Sequence, residues 1–349
     1  MFGHPPMQAG FINAPHRRVC LGEFSLELGG KIDNLVISFA VHGDLHDHSL
    51  PLAITLCAIG SSHHRMDFLI GERRALDPAR IRVLAIDAIG NGLSSSPSNT
   101  SLSPGMTFPR FTVRDMVRSQ KALLELLSID VVDVVVGASM GGMQALQWGV
   151  SYPKNVRRIV ALTPTARTSA WAAAINEAAR QSLLARLSSL SGNAKYGVDI
   201  WDGWIPIMQL LAMRTPSQAD LEMVNAAGFH AWLKIQTGCW SQQNFHPVDW
   251  IYQSWAYDSH DVGSTLGFRD DTVRALRAIK APTFIGAPRL DLYNSTESAR
   301  WAASVIARCD YRELDTIWGH LMASQHDSAS ARALNIEIAQ FLHNYDTIA

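Results

Sequence analysis

The sequence predicts an α/β protein in which a mostly parallel sheet is flanked by helices and interrupted by an inserted helical segment. Three observations lead to this class. Apolar runs alternate with helical patterns through the first half of the chain. One β-branched run passes through a turn of glycine and serine directly into a helical pattern. The strand pattern stops after residue 163 and resumes near residue 271.

The individual elements are predicted from apolar runs and from helical periodicity, taken in chain order. Strands are expected at residues 34–41, 52–58, 81–87, 131–136, 156–162, 282–286 and 311–314. Helices are expected at residues 112–127, 140–152, 295–307 and 328–345, with a shorter one after residue 271. Strands that alternate with helices across short loops form parallel βαβ units. We therefore expect one core built from residues 1–163 and 268–349.

Residues 164–267, which separate the two parts of the core, have a different composition. Helical patterns continue there, and the segment holds seven of the ten tryptophans, at positions 171, 201, 204, 232, 240, 250 and 255. We expect a helical lid in which most of these indoles pack within a small helical layer. One or two indoles lining a cleft would give a binding site an apolar shape.

The bulk composition excludes several classes of function. The 349 residues carry a net charge of −1 and are 47% apolar, as in a globular protein with a sizeable core. This charge exerts no long-range attraction on nucleic acids or anionic membranes. No run approaches the ~20 apolar residues that a membrane-spanning helix needs. Because Met1–Arg18 lacks the apolar stretch of a secretory signal, we expect a cytoplasmic protein.

The cysteines and histidines give no indication of a metal site. The four cysteines, at positions 20, 57, 239 and 309, are scattered and form no Cys-x-x-Cys pair. We expect reduced thiols rather than a disulfide framework or a zinc site. The adjacent His63 and His64 fall on a predicted loop without partners at metal-ligand spacing, so we expect them on the surface or lining a cleft.

The most informative segment is Val134–Leu146, in which Gly137 and Gly141 flank Ser139 in a Gly-x-Ser-x-Gly motif. A strand before this motif and a helix after it are typical of a nucleophilic serine mounted on a strained elbow. Side chains two positions away on either side would clash, which explains the two glycines. The alternative is a glycine-rich turn with an incidental serine, and the strand-turn-helix context favours the nucleophile.

A nucleophilic serine needs a base that takes its proton and a carboxylate that orients the base. On an α/β-hydrolase sheet the three groups follow in the chain order serine, acid, histidine. Asp291 is the only acidic residue between positions 272 and 296, and the alternative is a loop or helix-capping aspartate. His320 follows the last predicted strand and competes with His326 and His343. We expect Ser139, Asp291 and His320 to form a catalytic triad on an α/β-hydrolase fold.

The same arrangement predicts an oxyanion hole made by two backbone N–H groups. The first donor is expected at Met140, which begins the helix after the nucleophile. The second belongs to the loop after the strand 52–58, where Ile59 is the candidate. Gly60 gives that loop its freedom, and we expect it to border the substrate.

Four segments carry a resemblance to a known family: Phe108–Val117, Gly137–Trp148, Ala174–Gln181 and Tyr257–Asp261. In these segments, and more weakly from about Phe24 to the C-terminus, the chain resembles the homoserine O-acetyltransferase family of α/β-hydrolase-fold enzymes. The resemblance implies an acyl-serine mechanism, a helical lid and a homodimer joined through lid helices.

The sequence departs from that family where homoserine would be recognised. The transferases bind the homoserine carboxylate through a lid arginine and its amine through an aspartate directly after the catalytic histidine. Here Leu321 follows His320, and Leu221 stands near Arg214 where a tyrosine is expected. A leucine cannot pair an ammonium group, and an unpaired buried charge is costly. We therefore expect Leu321 to border a substrate that is not an amino acid.

Our first functional hypothesis is a serine hydrolase that cleaves a small, acetyl-type ester through an acyl-enzyme. The loop 87–94 supports it, because it resembles the Asp-x-x-Gly-x-Gly-x-Ser turn of ester and epoxide hydrolases. The alternative is an acyl-CoA-dependent O-acyltransferase with an altered acceptor, for which acetyl-CoA is a co-substrate. Otherwise we expect no cofactor. A non-enzymatic binding protein is a third class, and the intact serine, aspartate and histidine set counts against it.

Overall fold

The computed structural model describes residues 4, 6–189, 198–241, 245–324 and 328–344. The strands, in chain order, are β1 His16–Cys20, β2 Phe24–Ser25, β3 Lys31–Ile32, β4 Val36–His42, β5 Leu52–Leu56, β6 Arg82–Ile86, β7 Val134–Ala138, β8 Ile159–Leu162, β9 Thr283–Pro288 and β10 Cys309–Leu314. Eight of them form one sheet in the order β1-β4-β6-β5-β7-β8-β9-β10, and β2 pairs with β3 alone. The strands β6, β5, β7, β8, β9 and β10 are parallel to one another. Strand β4 is antiparallel to both of its neighbours, β1 and β6.

The central strand β7 shows why its sequence forms a strand covered on both faces. Val134 and Val136 pack in one apolar cluster together with Ile338, whereas Val135 packs in a second cluster together with Met143. Alternate residues of a strand point to opposite faces, so an unbroken β-branched run requires helices on both sides. The elbow that follows β7 is thereby held in the middle of the sheet.

The helices of the described residues are α1 Val113–Leu126, α2 Met140–Ser151, α3 Ala170–Ser189, α4 Pro216–Asn225, α5 Phe229–Ser241, α6 Pro247–Asp258, α7 Thr272–Arg277, α8 Thr296–Val305 and α9 Ser328–Asn344. A π-helical turn, Pro206–Ala212, precedes α4. Within 164–267, the described residues form helices and turns and no β-strand. We call residues 164–267 the helical segment. In the part of the chain that the structure describes, no helix is both long and apolar enough to cross a bilayer.

The sequence predictions match most of these elements but miss the first three strands. Each predicted strand has an observed counterpart, and the two that begin late, β7 and β8, are preceded by an isolated bridge between Val132 and Val156. β1 was missed because it is an edge strand whose residues are exposed or half-buried, so it has no apolar alternation. Tyr345, the predicted end of the last helix, and His326 lie outside the described residues, as do 190–197 and 242–244 of the predicted lid.

Candidate active site

Ser139 lies in the turn between β7 and α2 with a backbone φ of 56°. Residues with a side chain rarely adopt this left-handed conformation, and strain of this kind is concentrated at functional sites. A Cβ atom added at Gly137 would lie 2.1 Å from the carbonyl oxygen of Gly141. One added at Gly141 would lie 2.5 Å from the carbonyl oxygen of Leu56. Both glycines of the motif are therefore required by close backbone approach.

Three side chains from different elements meet at this turn. His320, in the 3-10 turn Gly319–Met322, has its Nε2 atom 2.8 Å from Ser139 Oγ and its Nδ1 atom 2.8 Å from Asp291 Oδ2. None of the three residues is more than 4% exposed. The competing His343 is exposed on α9. The three residues that the sequence analysis selected thus form one hydrogen-bonded series, in which a carboxylate orients an imidazole against a hydroxyl.

Backbone donors fix the orientation of the Asp291 carboxylate. Its Oδ1 atom accepts the N–H groups of Tyr293 and Asn294, each at 2.9 Å, and its Oδ2 atom faces His320. The N-cap of the following helix, α8, is Ser295, whose side chain accepts a backbone N–H of the first turn. The alternative reading of Asp291 as the cap of this helix is therefore wrong.

A buried polar network connects the Asp291 loop to the helical segment. The Tyr293 hydroxyl donates to Asn176 Oδ1 at 2.5 Å, and Asn176 Nδ2 donates to Asp258 Oδ1 at 2.7 Å. Arg180 completes the network by donating to Asp258 Oδ2 at 2.8 Å. Sequence reasoning missed these contacts, although Asn176, Arg180 and Asp258 lie in two of the segments that carry the family resemblance. Partners 117 positions apart, such as Tyr293 and Asn176, leave no local pattern.

Tyr257 is a second buried group beside the triad that the sequence analysis did not select. Its hydroxyl donates to the side chain of Asn294 and also interacts with Ser139. Asn294 Nδ2 in turn donates to the carbonyl oxygen of Thr163 at 2.7 Å. Burial raises the pKa of the Tyr257 hydroxyl well above its usual value, and it does the same for Tyr293. Both hydroxyls therefore stay protonated donors at neutral pH.

The two predicted oxyanion donors lie on segments that adjoin the elbow. Met140 is the first residue of α2, and the N–H at that position has no acceptor within its own helix. Ile59 lies in the loop after β5, a strand that pairs with β7. The close approach of Leu56 to Gly141 keeps this loop beside the elbow. The role of both N–H groups stays a prediction.

Gly60, predicted to border the substrate, lies against aromatic side chains of the helical segment. A Cβ atom added at Gly60 would lie 3.5 Å from both Trp240 and Trp250 and 3.6 Å from Phe245. The Gly60 N–H donates to Gln253 Oε1 at 2.9 Å, so this donor is already used within the chain. The loop after β5 is thus covered by an apolar wall, and contact with substrate through Gly60 stays a prediction.

The residues expected near a homoserine carboxylate and amine carry no free complementary charge. Arg214 Nε lies 2.8 Å from both carboxylate oxygens of Glu222, and its guanidinium is 5.6 Å from the centre of the Trp232 ring. Leu321 directly follows His320 and is half-buried. The arginine charge is therefore neutralised by the chain itself, and the leucine offers nothing to an ammonium group.

His63 and His64 depart from their predicted surroundings. Each is only 3% exposed, at the start of the 3-10 helix His63–Leu69. His63 Nδ1 lies 2.9 Å from Asp87 Oδ2, and His64 Nδ1 lies 2.7 Å from Asp67 Oδ2. The sequence analysis expected a surface or cleft-lining position for the two residues. A surface position is wrong, because both rings are buried and each has a buried carboxylate as its partner.

Comparison with known proteins identifies the family. The sequence model described as "alpha/beta hydrolase fold" matches residues 60–303, and the chain belongs to this family. The fold class predicted from the sequence is therefore confirmed, together with the prediction that the protein is an enzyme.

Particular relatives narrow the comparison. The ethyl acetate hydrolase of Pseudomonas veronii is 29% identical over 348 residues, which span 95% of this chain and 96% of that protein. The homoserine O-acetyltransferase of Thermus thermophilus is 28% identical and covers 85% of this chain and 84% of its own length. Among solved structures, the acetyl esterase MekB has a TM-score of 0.86 at 25% identity, covering 94% of this chain and 97% of that one. The resemblance to homoserine O-acetyltransferases is confirmed, and it extends to proteins named as esterases.

Proposed function

We propose that the protein is a serine hydrolase that cleaves a small, acetyl-type ester through an acyl-enzyme intermediate. Ser139 is the nucleophile, His320 the general base and acid, and Asp291 the group that orients the histidine. The observation that carries this proposal is the buried series from Ser139 Oγ through His320 to Asp291, with two contacts of 2.8 Å. The relatives named ethyl acetate hydrolase and acetyl esterase support the acetyl-ester class.

Acylation begins when Ser139 Oγ attacks the ester carbonyl and its proton passes to His320 Nε2. The N–H groups of Met140 and Ile59 then hold the negative oxygen, and each donor of this kind is typically worth roughly 3 kcal/mol. His320 returns the proton to the departing alcohol, which leaves an acetyl group on Ser139. In the second half-reaction His320 takes a proton from water, the hydroxide attacks the acyl carbonyl, and acetate leaves as Ser139 regains its proton.

The surroundings of the triad favour water over an amino-acid acceptor. The Arg214 guanidinium is paired with Glu222, and Leu321 stands where the transferases carry an aspartate. We propose that the helical segment, 164–267, acts as a lid on the core formed by 1–163 and 268–349. The apolar wall of Trp240 and Trp250 against Gly60 supports a small acyl group at this loop.

The alternative function is an acyl-CoA-dependent O-acyltransferase with an acceptor other than homoserine. The Thermus thermophilus relative supports it, because the same acetyl-serine would serve both reactions. Acetyl-CoA would then be a co-substrate, whereas the hydrolase needs no cofactor. For either function we propose a cytoplasmic homodimer. The free cysteines, at positions 20, 57, 239 and 309, support a reducing compartment, and the family resemblance supports a dimer joined through lid helices.

A product-partition assay tests the choice between the two functions. The purified protein is given a simple acetyl ester or acetyl-CoA, each with and without homoserine, and free acetate and O-acetylhomoserine are quantified. We expect acetate from the ester at a rate that homoserine does not change, with acetyl-CoA left intact. Homoserine-dependent consumption of acetyl-CoA would contradict the hydrolase and would establish a transferase that uses homoserine itself as the acceptor.

The Leu321→Asp variant tests whether an aspartate after His320 is enough, by itself, to let the protein use homoserine as an acceptor. Because Arg214 remains engaged by Glu222, we expect no O-acetylhomoserine from this single substitution. Leu321→Asn is the matched control, which changes shape and polarity without adding charge. Acetylhomoserine from the aspartate variant and not from the asparagine variant would show that the acceptor site lacks only one group.

A further inference from the structure

A cluster of histidines outside the proposed catalytic site brings three imidazole nitrogens together. His4 Nε2 lies 3.1 Å from His63 Nε2 and 3.2 Å from His64 Nε2. Ligand atoms of the three rings all lie within 4.8 Å of one another, and His63 and His64 are buried. The cluster is formed by the N-terminal segment and the start of the 3-10 helix His63–Leu69. It shares no residue with the triad.

The second nitrogen of both buried rings is held by a carboxylate. His63 Nδ1 faces Asp87 Oδ2 at 2.9 Å, and His64 Nδ1 faces Asp67 Oδ2 at 2.7 Å. A carboxylate accepts hydrogen bonds, so each Nδ1 donates to its carboxylate, and each Nε2 faces His4. A histidine that ligates a metal almost always donates its other N–H in this way, which fixes both tautomer and ring orientation.

Hydrogen bonding alone does not account for the geometry. A ring nitrogen has a single site, occupied by a proton or by a lone pair. His4 Nε2 can therefore form a hydrogen bond with only one of His63 and His64, and a hydrogen bond does not explain the second short contact. A tetrahedral zinc ion with Zn–N distances of about 2.0–2.1 Å separates neighbouring nitrogen ligands by about 3.3 Å. The observed separations of 3.1 and 3.2 Å are close to this value. We propose that His4, His63 and His64 bind one zinc-class divalent ion through their Nε2 atoms.

The groups around Asp87 are arranged to hold the carboxylate against His63. Asp87 Oδ2 accepts from Ser38 Oγ at 2.7 Å, and Asp87 Oδ1 accepts from Asn91 Nδ2 at 2.8 Å. His16 Nε2 is 3.6 Å from Asp87 Oδ2, and its ring stacks on that of His63 with centroids 4.9 Å apart. His16, His63 and Asp87 also converge, but His63 Nδ1 and Asp87 Oδ2 bond each other there. His16 and Asp87 therefore hold the His63 ring in position and are not ligands themselves.

The donor set determines the class of ion. Imidazole nitrogens suit zinc, nickel and copper, whereas magnesium and calcium select oxygen ligands. Three histidines leave one position of a tetrahedral ion to water. The sequence analysis expected no metal because His4 lies 59 positions before His63, far outside any local ligand spacing.

The position of the site suggests what the ion does. Asp67 Oδ2 also accepts the backbone N–H of Ile12 at 2.8 Å, so the N-terminal segment is already fastened at this point. Asn91, which bonds Asp87, also donates to the Ser61 carbonyl oxygen at 3.3 Å. The ion therefore ties the N-terminal segment to the loop that carries Ile59 and Gly60. Its role is structural, independent of whether Ser139 acts as a hydrolase or a transferase.

Metal titration of the untagged full-length protein tests the site. After treatment with a chelator, the protein is titrated with zinc chloride, nickel chloride or magnesium chloride by calorimetry. Thermal unfolding is followed with and without each ion. We expect one zinc or nickel ion per chain, a higher Tm when either is bound, and no effect of magnesium.

Substitutions of the ligands and of their hydrogen-bond partners test whether zinc binds at this cluster. His4→Ala removes a ligand without opening the buried core, and we expect zinc affinity to fall by about 100-fold or more. Asp67→Asn keeps all three ligands and is expected to lower affinity by about 10- to 100-fold, through loss of the carboxylate partner of His64. His46→Ala, a surface histidine outside the cluster, is the matched control and should bind zinc as the wild type does. Zinc binding that is equal in wild type and His4→Ala, or no stoichiometric binding at all, would overturn the proposal.

Discussion

The nucleophile elbow and the helical segment are held by different kinds of interaction. At the elbow the main chain itself is closely packed, so that Gly137 and Gly141 have no room for a Cβ atom. In the helical segment the defining contacts are between side chains, such as the Arg214–Glu222 ion pair and the indole pair Trp204–Trp240, whose ring centroids are 4.6 Å apart. Backbone packing admits few substitutions, whereas side-chain pairs can be exchanged for other pairs of similar volume.

This difference is consistent with one fold serving both of the activities named among the relatives. The proposed triad at the elbow would supply acyl-serine chemistry, which an esterase and an O-acyltransferase share. We propose that the acceptor is selected by side chains of the helical segment and by the residue after the histidine. In this proposal, pairing Arg214 with Glu222 and placing Leu321 after His320 changes the acceptor without altering Ser139.

The largest expected effect comes from Ser139→Ala. Removing the nucleophilic oxygen should lower turnover of an acetyl ester by about 10⁴-fold or more, since the triad acts as a unit. The Tm should stay close to that of the wild type, because only one oxygen atom is lost. The rate is measured by acetate release, with the exposed Ser304→Ala on α8 as the control. Turnover within tenfold of the wild type would rule out an acyl-serine mechanism.

Gly141→Ala tests the backbone packing of the elbow. The new Cβ atom would lie 2.5 Å from the Leu56 carbonyl oxygen, so we expect a loss of about 3 kcal/mol or more in the free energy of unfolding. Urea denaturation measures it. Gly238→Ala in α5 is the matched control, because no atom lies within 4 Å of a Cβ there. A helix position with room for the added methyl group should gain stability from the same change. Equal effects at the two glycines would refute the contrast between the two regions.

Asp249→Asn tests a buried carboxyl group in α6, within the helical segment. Burial raises the pKa of Asp249 to about 7, although hydrogen bonds from Ser98 oppose the shift. Below pH ~4 the group is protonated in both the folded and the unfolded state, and above that pH only the unfolded state ionises. The wild type therefore loses stability as pH rises from about 4 to 7, by about 3 kcal/mol between pH 5 and pH 8 from this group.

The asparagine variant should lack that loss. Urea denaturation at pH 5 and pH 8 measures the free energy of unfolding of both proteins. Compared with the wild type, the variant should be more stable at pH 8 than it is at pH 5. Asp220→Asn, on the exposed surface of α4, is the control and should show no such difference. A pH dependence that is the same in wild type and Asp249→Asn would show that the carboxyl group ionises in the folded protein.

The smallest expected effect is that of Tyr293→Phe, which cuts the link between the Asp291 loop and Asn176. Loss of one buried hydrogen bond should cost about 1 kcal/mol of stability and lower kcat by about tenfold, because the Asp291 carboxylate is less well held. Tyr252→Phe is the control. Its hydroxyl bonds the carbonyl oxygens of Met106 and Phe108, so stability should fall while kcat is kept. Equal kcat in the two variants would assign the network a purely structural role.

Local features of the sequence were sufficient for the fold and for Ser139, and chain order on the predicted sheet was sufficient for Asp291 and His320. The apolar run of β7 and the glycines around Ser139 involve residues only a few positions apart, so their pattern can be recognised from the sequence. Asp291 and His320 were selected because parallel strands bring their carboxyl ends to one edge of a sheet. Topology therefore converted a chain order into a spatial arrangement with contacts of 2.8 Å.

Only the tertiary structure decided which distant side chains became partners. Tyr293 and Asn176, 117 positions apart, and His4 and His63, 59 positions apart, follow no repeat or spacing that a sequence displays. Burial then fixes their roles, since a buried polar atom must find a partner wherever the fold brings one within reach. The sequence by itself determined the sheet and the elbow at Ser139 through short-range sterics and apolar periodicity. The support of Asp291, the pairing of Arg214 and the convergence of three histidines arise from packing between segments that are far apart in the chain.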